Sequence, residues 1–312
     1  MAEMKLVPFK VESIESTSTE IPYGVAQLEA PEIWKQGEQG EGVVVAICDT
    51  GIDRNHPCLK DQVIDGQNFT DEGGPDAYDD NNGHGTHVAG IIAAKEDDKG
   101  VVGVAPKAKL LICKVLNSQG SGSYQSIIDG INYAANWQGP NGECVRVINM
   151  SLGGPEDDPE LEQAILGAVS KGIVVVVASG NEGDNNEATL EYGYPALYNE
   201  CITIAACDEN RKLAPFSNNS LEVDAIAAGV KVLSTYPPSQ FARLSGTSMA
   251  TPHISGTMAL LIKIGESKFK RTLTESEIYA LLAKSAVSIG YQASSEGHRL
   301  PQLCELYKTY KG

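Results

Sequence analysis

Five short apolar runs alternate with segments of helical periodicity, and this alternation is the strongest constraint on the fold. The strand-like runs cover residues 42–48, 109–115, 146–150, 173–179 and 201–206. The helical patterns cover residues 123–137, 159–171, 248–264 and 274–286. Continuous apolar runs are typical of parallel strands buried on both faces. We therefore predict an α/β fold with three layers, in which helices cover both faces of a mostly parallel central sheet.

The N-terminal segment differs in composition from the rest of the chain. Residues 12–20 are rich in Ser, Thr and Glu, and we expect a flexible linker or an exposed segment there. Residues 65–83 are rich in Asp, Asn and Gly and predict a surface loop. Because no repeat or linker interrupts the remainder, we predict an extension over residues 1–18 and one domain over residues 19–312.

The net charge argues against two classes of partner, and the cysteine positions argue against disulfides. The formal net charge is −17, which argues against binding to nucleic acid or to an anionic membrane. No signal-like apolar segment and no run of 18 apolar residues is visible, so we expect a cytoplasmic protein. The seven cysteines have no CxxC spacing, and Cys48, Cys113 and Cys201 lie in apolar runs. These positions favour buried thiols over disulfides.

Four polar residues stand where strands end or helices begin. Asp49 follows the first apolar run, Asn181 follows the run 173–179, and His84 and Ser248 each precede an apolar helical pattern. The carboxyl ends of parallel strands meet at one edge of a sheet. A carboxylate there can orient a histidine, the histidine can deprotonate a serine, and an amide can bind an oxyanion.

Each of the four residues also has a simpler interpretation. Ser248 fits a helix N-cap, and Asp49 and Asn181 fit turns. His84 and His87, three residues apart, also allow a zinc site. However, the HExxH pattern and an evident third ligand are missing, and His87 fits a core histidine better.

The residues around these positions form three motifs that closely resemble those of subtilisin-type serine proteases. The motifs are Asp49-Thr50-Gly51, the run from His84 to Gly90 (HGTHVAG), and Gly246-Thr247-Ser248-Met249-Ala250 with Pro252. Their order also matches that of subtilisins, which are a standard example of the Ser-His-Asp triad. An α/β-hydrolase would instead require GxSxG and a serine that precedes the histidine.

The resemblance implies a role for each of the four residues. Ser248 is the expected nucleophile and His84 the general base that later acts as an acid. Asp49 is expected to orient His84, and Asn181 is expected to form the oxyanion hole with the backbone N–H of Ser248. The alternative is a catalytically silent protein of the subtilisin fold that serves as a binding partner. Such a protein should lack one of these residues.

The resemblance also implies a cleft for protein and peptide substrates. Two strands would flank the substrate: Gly120, Ser121 and Gly122 on one side, and Ser151, Leu152 and Gly153 on the other. The S1 pocket would be lined by Ala178, Ser179, Gly180 and Gly193, with Glu182 at its rim and Tyr124 at the border of S4. Pro195 matches a position that is cis in the family. We expect a broad endopeptidase that prefers apolar P1 side chains.

The N-terminal segment is similar to that of the intracellular subtilisins. Leu6-Val7-Pro8-Phe9 resembles the inhibitory Leu-Ile-Pro-Tyr/Phe motif of that group. The resemblance implies a zymogen whose extension lies across its own active site, and it implies a homodimer.

Calcium is the cofactor that the resemblance implies, in a structural role. One site would use Glu222 and Asp224 with carbonyls of Ala196, Tyr198 and Cys201, since oxygen ligands suit Ca²⁺. The other would lie in the loop 95–101 and use Asp97 and the Val101 carbonyl. Cys58 and Thr19 stand where the family has two further ligands, and a thiol is a poor calcium ligand.

Overall fold

The computed structural model describes residues 3–16, 18, 20–96 and 100–311. Its strands are β1 (Glu3–Leu6), β2 (Lys10–Glu15), β3 (Val44–Asp49), β4 (Val63–Asn68), β5 (Lys109–Lys114), β6 (Ser121–Ser123), β7 (Val145–Met150), β8 (Leu152–Gly153), β9 (Val174–Ala178), β10 (Ile202–Cys207), β11 (Val223–Ala228), β12 (Val232–Tyr236), β13 (Gln240–Ser245), β14 (Ala286–Val287) and β15 (Leu300–Pro301). Its helices are α1 (Tyr23–Gln27), α2 (Ala30–Trp34), α3 (His84–Ala93), α4 (Tyr124–Asn136), α5 (Pro159–Ser170), α6 (Thr247–Phe269), α7 (Glu275–Ser285), α8 (Ala293–Glu296) and α9 (Leu303–Lys311).

A parallel sheet lies at the centre of the described part of the chain. Its strand order is β11-β10-β9-β7-β3-β5-β4, and each neighbouring pair is parallel. All five apolar runs of the sequence are strands of this sheet. The predicted three-layer α/β fold is therefore confirmed.

Both faces of β3 are covered by helices, which explains why its sequence is continuously apolar. Val45 and Ile47 pack into the cluster that contains α3 and α6, whereas Val44, Ala46 and Cys48 pack into the cluster that contains α4 and α5. Side chains alternate between the two faces of a strand, so a strand covered on both faces needs an apolar residue at every position.

Two strands lie where the sequence predicted irregular structure. β4 covers the start of the predicted surface loop 65–83, and β2 covers the start of the predicted linker 12–20. β4 is an edge strand of the central sheet and β2 is an edge strand of a smaller one, and both are partly exposed. Half-exposed edge strands carry polar residues, so composition alone does not separate them from loops.

The N-terminal segment takes part in two small sheets. β1 lies between β6 and β8 and is antiparallel to both. β2 pairs antiparallel with β13, which in turn pairs with β12. The extension is thus held by main-chain hydrogen bonds on either side of residues 7–9.

The cysteines and the lengths of the helices bear on two of the predictions. Cys48, Cys113 and Cys201 are buried free thiols, as predicted. Over the ranges that the structure describes, no helix has the length and apolar character needed to cross a membrane.

Candidate active site

Asp49 and His84 form a buried pair at the carboxyl edge of the central sheet. Asp49 ends β3, and His84 begins α3. His84 Nδ1 lies 2.9 Å from one carboxylate oxygen of Asp49 and 3.0 Å from the other. Because a carboxylate accepts hydrogen bonds, the proton of neutral His84 is on Nδ1 and its lone pair is on Nε2. Nε2 is buried and has no hydrogen-bond partner among the described residues.

Ser248 lies in the first turn of α6 rather than at its cap. The N-cap residue is Gly246, so the interpretation of Ser248 as an N-cap is wrong. The Ser248 hydroxyl is buried and donates a hydrogen bond of 3.2 Å to the carbonyl of Ser151. The Ser151 hydroxyl donates in return to the carbonyl of Ser248, at 3.0 Å. The structure thus places the start of α6 directly against the end of β7.

Asn181 has a fixed amide orientation. Its side-chain oxygen accepts a 2.8 Å hydrogen bond from the backbone N–H of Thr247. Its NH₂ group donates to the carbonyl oxygen of Pro8. Asn181 is therefore more than a turn residue, because its side-chain amide joins the start of α6 to the extension.

Residues 7–9 cover these side chains. The ring of Phe9 lies 4.9 Å from the ring of His84, between centroids. A Cβ atom added to Gly246 would lie 3.4 Å from the Cβ of Phe9. The extension therefore contacts His84, Asn181 and the turn before Ser248.

The predicted substrate strands are the two neighbours of β1. The N–H of Leu6 donates to the carbonyl of Gly120 at 2.9 Å. Lys5 lies opposite both Ser121 and Gly153, Met4 lies opposite Gly122, and Leu6 lies opposite Leu152. Met4 is buried, and a Cβ added to Gly154 would lie 2.6 Å from its sulfur and 2.6 Å from the Tyr124 hydroxyl. The predicted strands thus hold an extended peptide, and Tyr124 lies beside Met4 of that peptide.

A cavity of about 330 Å³ adjoins the peptide at Val7. Its lining includes all the residues predicted for S1: Ala178, Ser179, Gly180, Glu182 and Gly193. The peptide bond between Tyr194 and Pro195 is cis. Sequence reasoning missed Asn218 in this wall. Asn218 accepts from the N–H of Glu182 at 2.7 Å and donates to its carboxylate at 2.9 Å.

Asp80, which the sequence analysis also missed, joins the elements that carry Asp49 and His84. One carboxylate oxygen accepts from the Thr50 hydroxyl at 2.9 Å and from the N–H of Gly83 at 2.8 Å. The other accepts from the N–H and the hydroxyl of Thr86, at 2.9 Å and 2.6 Å. The buried ammonium of Lys114 donates to the Thr50 carbonyl at 2.7 Å. Burial lowers the pKa of Lys114, and the charge of Asp80 opposes that shift.

His87 is a core residue, as expected, but only one of its ring nitrogens is bonded. Nε2 lies 3.1 Å from the carbonyl of Val232 and 3.0 Å from that of Ala242, so it donates to the β12–β13 hairpin. Nδ1 is buried without a partner in the described part of the chain. Burial lowers the pKa of His87 to about 3. His84 and His87 therefore bond in different directions, which disfavours a shared zinc site.

Two positions of the first expected calcium site, Asp97 and Thr19, lie outside the described residues. Val101 and Cys58, at the same expected site, are both buried. In the second set, the two oxygens of Asp224 accept from the Tyr279 hydroxyl at 2.6 Å and from the Thr203 N–H at 2.8 Å.

Two of the three carbonyls of this second set also accept hydrogen bonds from the protein. That of Ala196 accepts from the Thr203 hydroxyl, and that of Tyr198 accepts from the N–H of Cys201. In the described ranges, no group of three or more His, Cys, Asp or Glu side chains could hold a metal ion. A cation beside Glu222 would therefore depend on carbonyls and on an Asp224 that already has protein partners.

Comparison with known proteins agrees with this geometry. The model of the subtilase family matches residues 40–300. An intracellular serine protease of Paenibacillus polymyxa is 49% identical over 300 residues, which cover 96% of this chain and 90% of that protein. The major intracellular serine protease of Bacillus subtilis (strain 168) is 46% identical over 299 residues, which cover 95% of this chain and 92% of that protein.

A further relative carries a subtilisin name. Subtilisin DY of Bacillus licheniformis is 43% identical over 270 residues, which cover 86% of this chain and 93% of that protein. The family match covers most of the chain and agrees with the parallel central sheet. This chain therefore belongs to the subtilase family and is a subtilisin-type serine endopeptidase.

Proposed function

We propose that the enzyme hydrolyses peptide bonds through an acyl-enzyme on Ser248. His84 takes the proton of Ser248 at Nε2 and later gives it to the leaving amine, and Asp49 holds His84 in that tautomer. The observation that carries this proposal is the contact of His84 Nδ1 with both oxygens of Asp49. It leaves Nε2 as the basic nitrogen of the site.

Asn181 is proposed to bind the oxyanion together with the backbone N–H of Ser248. The Asn181 amide donates to the carbonyl of Pro8, so its N–H is already directed at a peptide carbonyl in the cleft. The Thr247 N–H holds that amide in place, so little reorganisation is needed when charge develops on the oxygen.

The test is casein hydrolysis with and without a covalent inhibitor directed at serine. We expect hydrolysis that the inhibitor abolishes, with the label on the peptide that contains Ser248. Ser248→Ala should remove both activity and labelling, whereas Ser170→Ala, at an exposed position of α5, should change neither. Labelling of another residue would refute the assignment. A complete lack of hydrolysis would favour the silent binding protein.

We further propose that residues 1–18 keep the newly made enzyme inactive. β1 occupies the cleft as a substrate would, Phe9 covers His84, and the Ser248 hydroxyl donates to Ser151. A serine that donates to a backbone carbonyl has no contact with its base, so this arrangement does not support attack. The tether adds to the inhibition, since contacts within one chain act at a high effective concentration.

Pro8 has a specific part in this inhibition. It lacks an N–H and has a fixed φ, so it bends the chain between Val7 and Phe9. Three forms test the proposal: the full chain, a chain that begins at Glu20, and the full chain with Pro8→Ala. The truncated form should act without a lag, and Pro8→Ala should shorten the lag. Equal rates for the truncated form and for full-length protein with an intact N-terminus would refute the inhibitory role.

Two further expectations belong to the proposal. The names of the two intracellular relatives and the buried thiols support action in the cytoplasm. A homodimer stays a prediction, and sedimentation equilibrium of the Ser248→Ala protein would test it.

A further inference from the structure

The strand that leads into Ser248 carries the second half of the extension on its edge. β2 pairs antiparallel with β13, from Lys10 opposite Ser245 to Glu15 opposite Phe241. β13 lies between β12 and β2, so its edge N–H and C=O groups lack partners once β2 leaves. Such an edge binds an extended peptide as an added strand.

The pairing register shows which residues of a substrate this edge would contact, namely those on the primed side, after the scissile bond. Val7 adjoins the S1 cavity and Met4 lies beside Tyr124 at the border of S4, so Met4 to Val7 follow the path of the four residues before a scissile bond, and Pro8 holds the first primed position. Glu15 is the eighth residue after Val7. The β13 edge therefore extends along the primed side of the cleft as far as an eighth subsite.

The side chains on this edge bind carboxylates. Arg243 Nε lies 3.1 Å from Glu15, and Arg243 Nη2 lies 2.8 Å from Glu20. The Ser245 hydroxyl donates to Glu12 at 3.1 Å. On a chain of net charge −17, a cationic group at the active-site edge gives that edge a local preference for acidic residues.

We propose that the β13 edge binds the primed side of extended substrates as an antiparallel strand, and that Arg243 selects an acidic residue near the eighth position after the scissile bond. This inference rests on the proposed endopeptidase function. It assigns a substrate class to the enzyme, namely extended or unfolded segments with an acidic residue downstream of the cleaved bond.

The test compares three internally quenched peptides that differ only at the eighth primed residue, which is Glu, Gln or Lys. Full-chain enzyme is used after its activity has become constant, and mass spectrometry confirms that all peptides are cut at the same bond. We expect kcat/KM for the Glu peptide to exceed that for the Gln peptide about twofold to fivefold, as for an exposed ion pair. The ratio should fall toward one at 1 M salt.

Variants separate recognition from a structural effect. Arg243→Gln should bring the Glu/Gln ratio to one, and Arg243→Glu should favour the Lys peptide. Arg271→Gln, which breaks an ion pair with Glu277 on α7, should keep the wild-type ratio. Ratios are taken within each preparation, so the amount of active enzyme cancels.

The outcomes distinguish this inference from the proposed function. Equal cleavage of all three peptides by the wild type, or a Glu preference that persists in Arg243→Glu, overturns the inference and leaves the endopeptidase intact. Failure to cleave any of the three peptides, together with failure to cleave casein, overturns the proposed function itself.

Discussion

The aromatic ring of Phe9 lies 4.9 Å from the imidazole ring of His84, with an angle of 53° between the ring planes. The ring packs on a buried histidine whose Nε2 has no hydrogen-bond partner in the described part of the chain. The base of the proposed triad is therefore masked by an apolar side chain of its own extension.

Phe9→Ala is expected to shorten the activation lag of the full chain about tenfold. Tenfold corresponds to about 1.4 kcal/mol, which is near the lower end of the free energy for burying a phenylalanine. The lag is measured in continuous hydrolysis of a chromogenic peptide. Val11→Ala is the control, because Val11 is 43% exposed. A lag equal to that of the wild type would show that Phe9 does not hold the extension.

Asp80→Asn is expected to lower kcat and to reduce the free energy of unfolding by about 1–3 kcal/mol, because buried donors lose an acceptor. The decrease in kcat is expected because Asp80 fixes the start of α3, the helix that carries His84. Asp79→Asn is the matched control. It removes an exposed pair with Arg54 and should cost about 1 kcal/mol or less. Urea unfolding and initial rates give the two quantities, and equal effects of both variants would contradict a positioning role.

The parallel sheet and the proposed triad could be predicted because their signals are local. A strand such as β3, buried on both faces, has to be apolar throughout. Asp49, His84 and Ser248 each stand at a boundary between a polar turn and an apolar element. A shared edge for these boundaries follows from parallel topology alone.

Other functional features depend on tertiary contacts that leave no local pattern. Asp80 lies in a polar stretch that resembles a solvated loop, and Asn218 lies in another. Arg243 has a defined role only because β2 returns along β13. The sequence 12–20 has the composition of a linker, and only its pairing with β13 makes part of it a strand.

An apolar P1 preference is expected from the cavity beside Val7. Its glycines leave room for a large side chain, and a Cβ added to Gly193 would lie no closer than 3.8 Å to the atoms around it. Gly193→Val should therefore fold and narrow the cavity. It should lower kcat/KM for a Phe P1 substrate more than for an Ala P1 substrate, by about tenfold or more. Strict selection of acidic P1 residues in a peptide library would contradict the apolar assignment.

Calcium is expected to raise the melting temperature of the Ser248→Ala protein by several degrees relative to chelator. Calcium at 100 times its Kd adds about 2.7 kcal/mol of stability, which corresponds to about 4 °C for a chain of this size. Glu222→Gln distinguishes the two expected sites. Loss of the shift in this variant assigns it to the set around Asp224, whereas an unchanged shift assigns it to the loop 95–101. Equal melting temperatures in calcium and chelator would refute calcium stabilisation.

The stability of the enzyme is expected to fall as the pH falls from about 6.5 toward 4, in part because of His253. Burial lowers the pKa of His253 to about 4, whereas an unfolded histidine has a pKa of about 6.5. Between these values the unfolded state binds one more proton, so the free energy of unfolding rises with pH by about 1.4 kcal/mol per pH unit for this residue. The contribution is fully present above pH 6.5.

His253→Asn isolates this contribution, since an asparagine amide takes the place of Nδ1, which contacts the Met249 carbonyl at 2.7 Å, but does not titrate. In the Ser248→Ala background, urea unfolding at several pH values between 4.5 and 6 should give a slope that is smaller by about 1.4 kcal/mol per pH unit than that of the parent. His87, whose pKa burial lowers to about 3, contributes in the same direction in both proteins and cancels in the difference. An unchanged slope would mean that His253 is protonated in the folded state over this range.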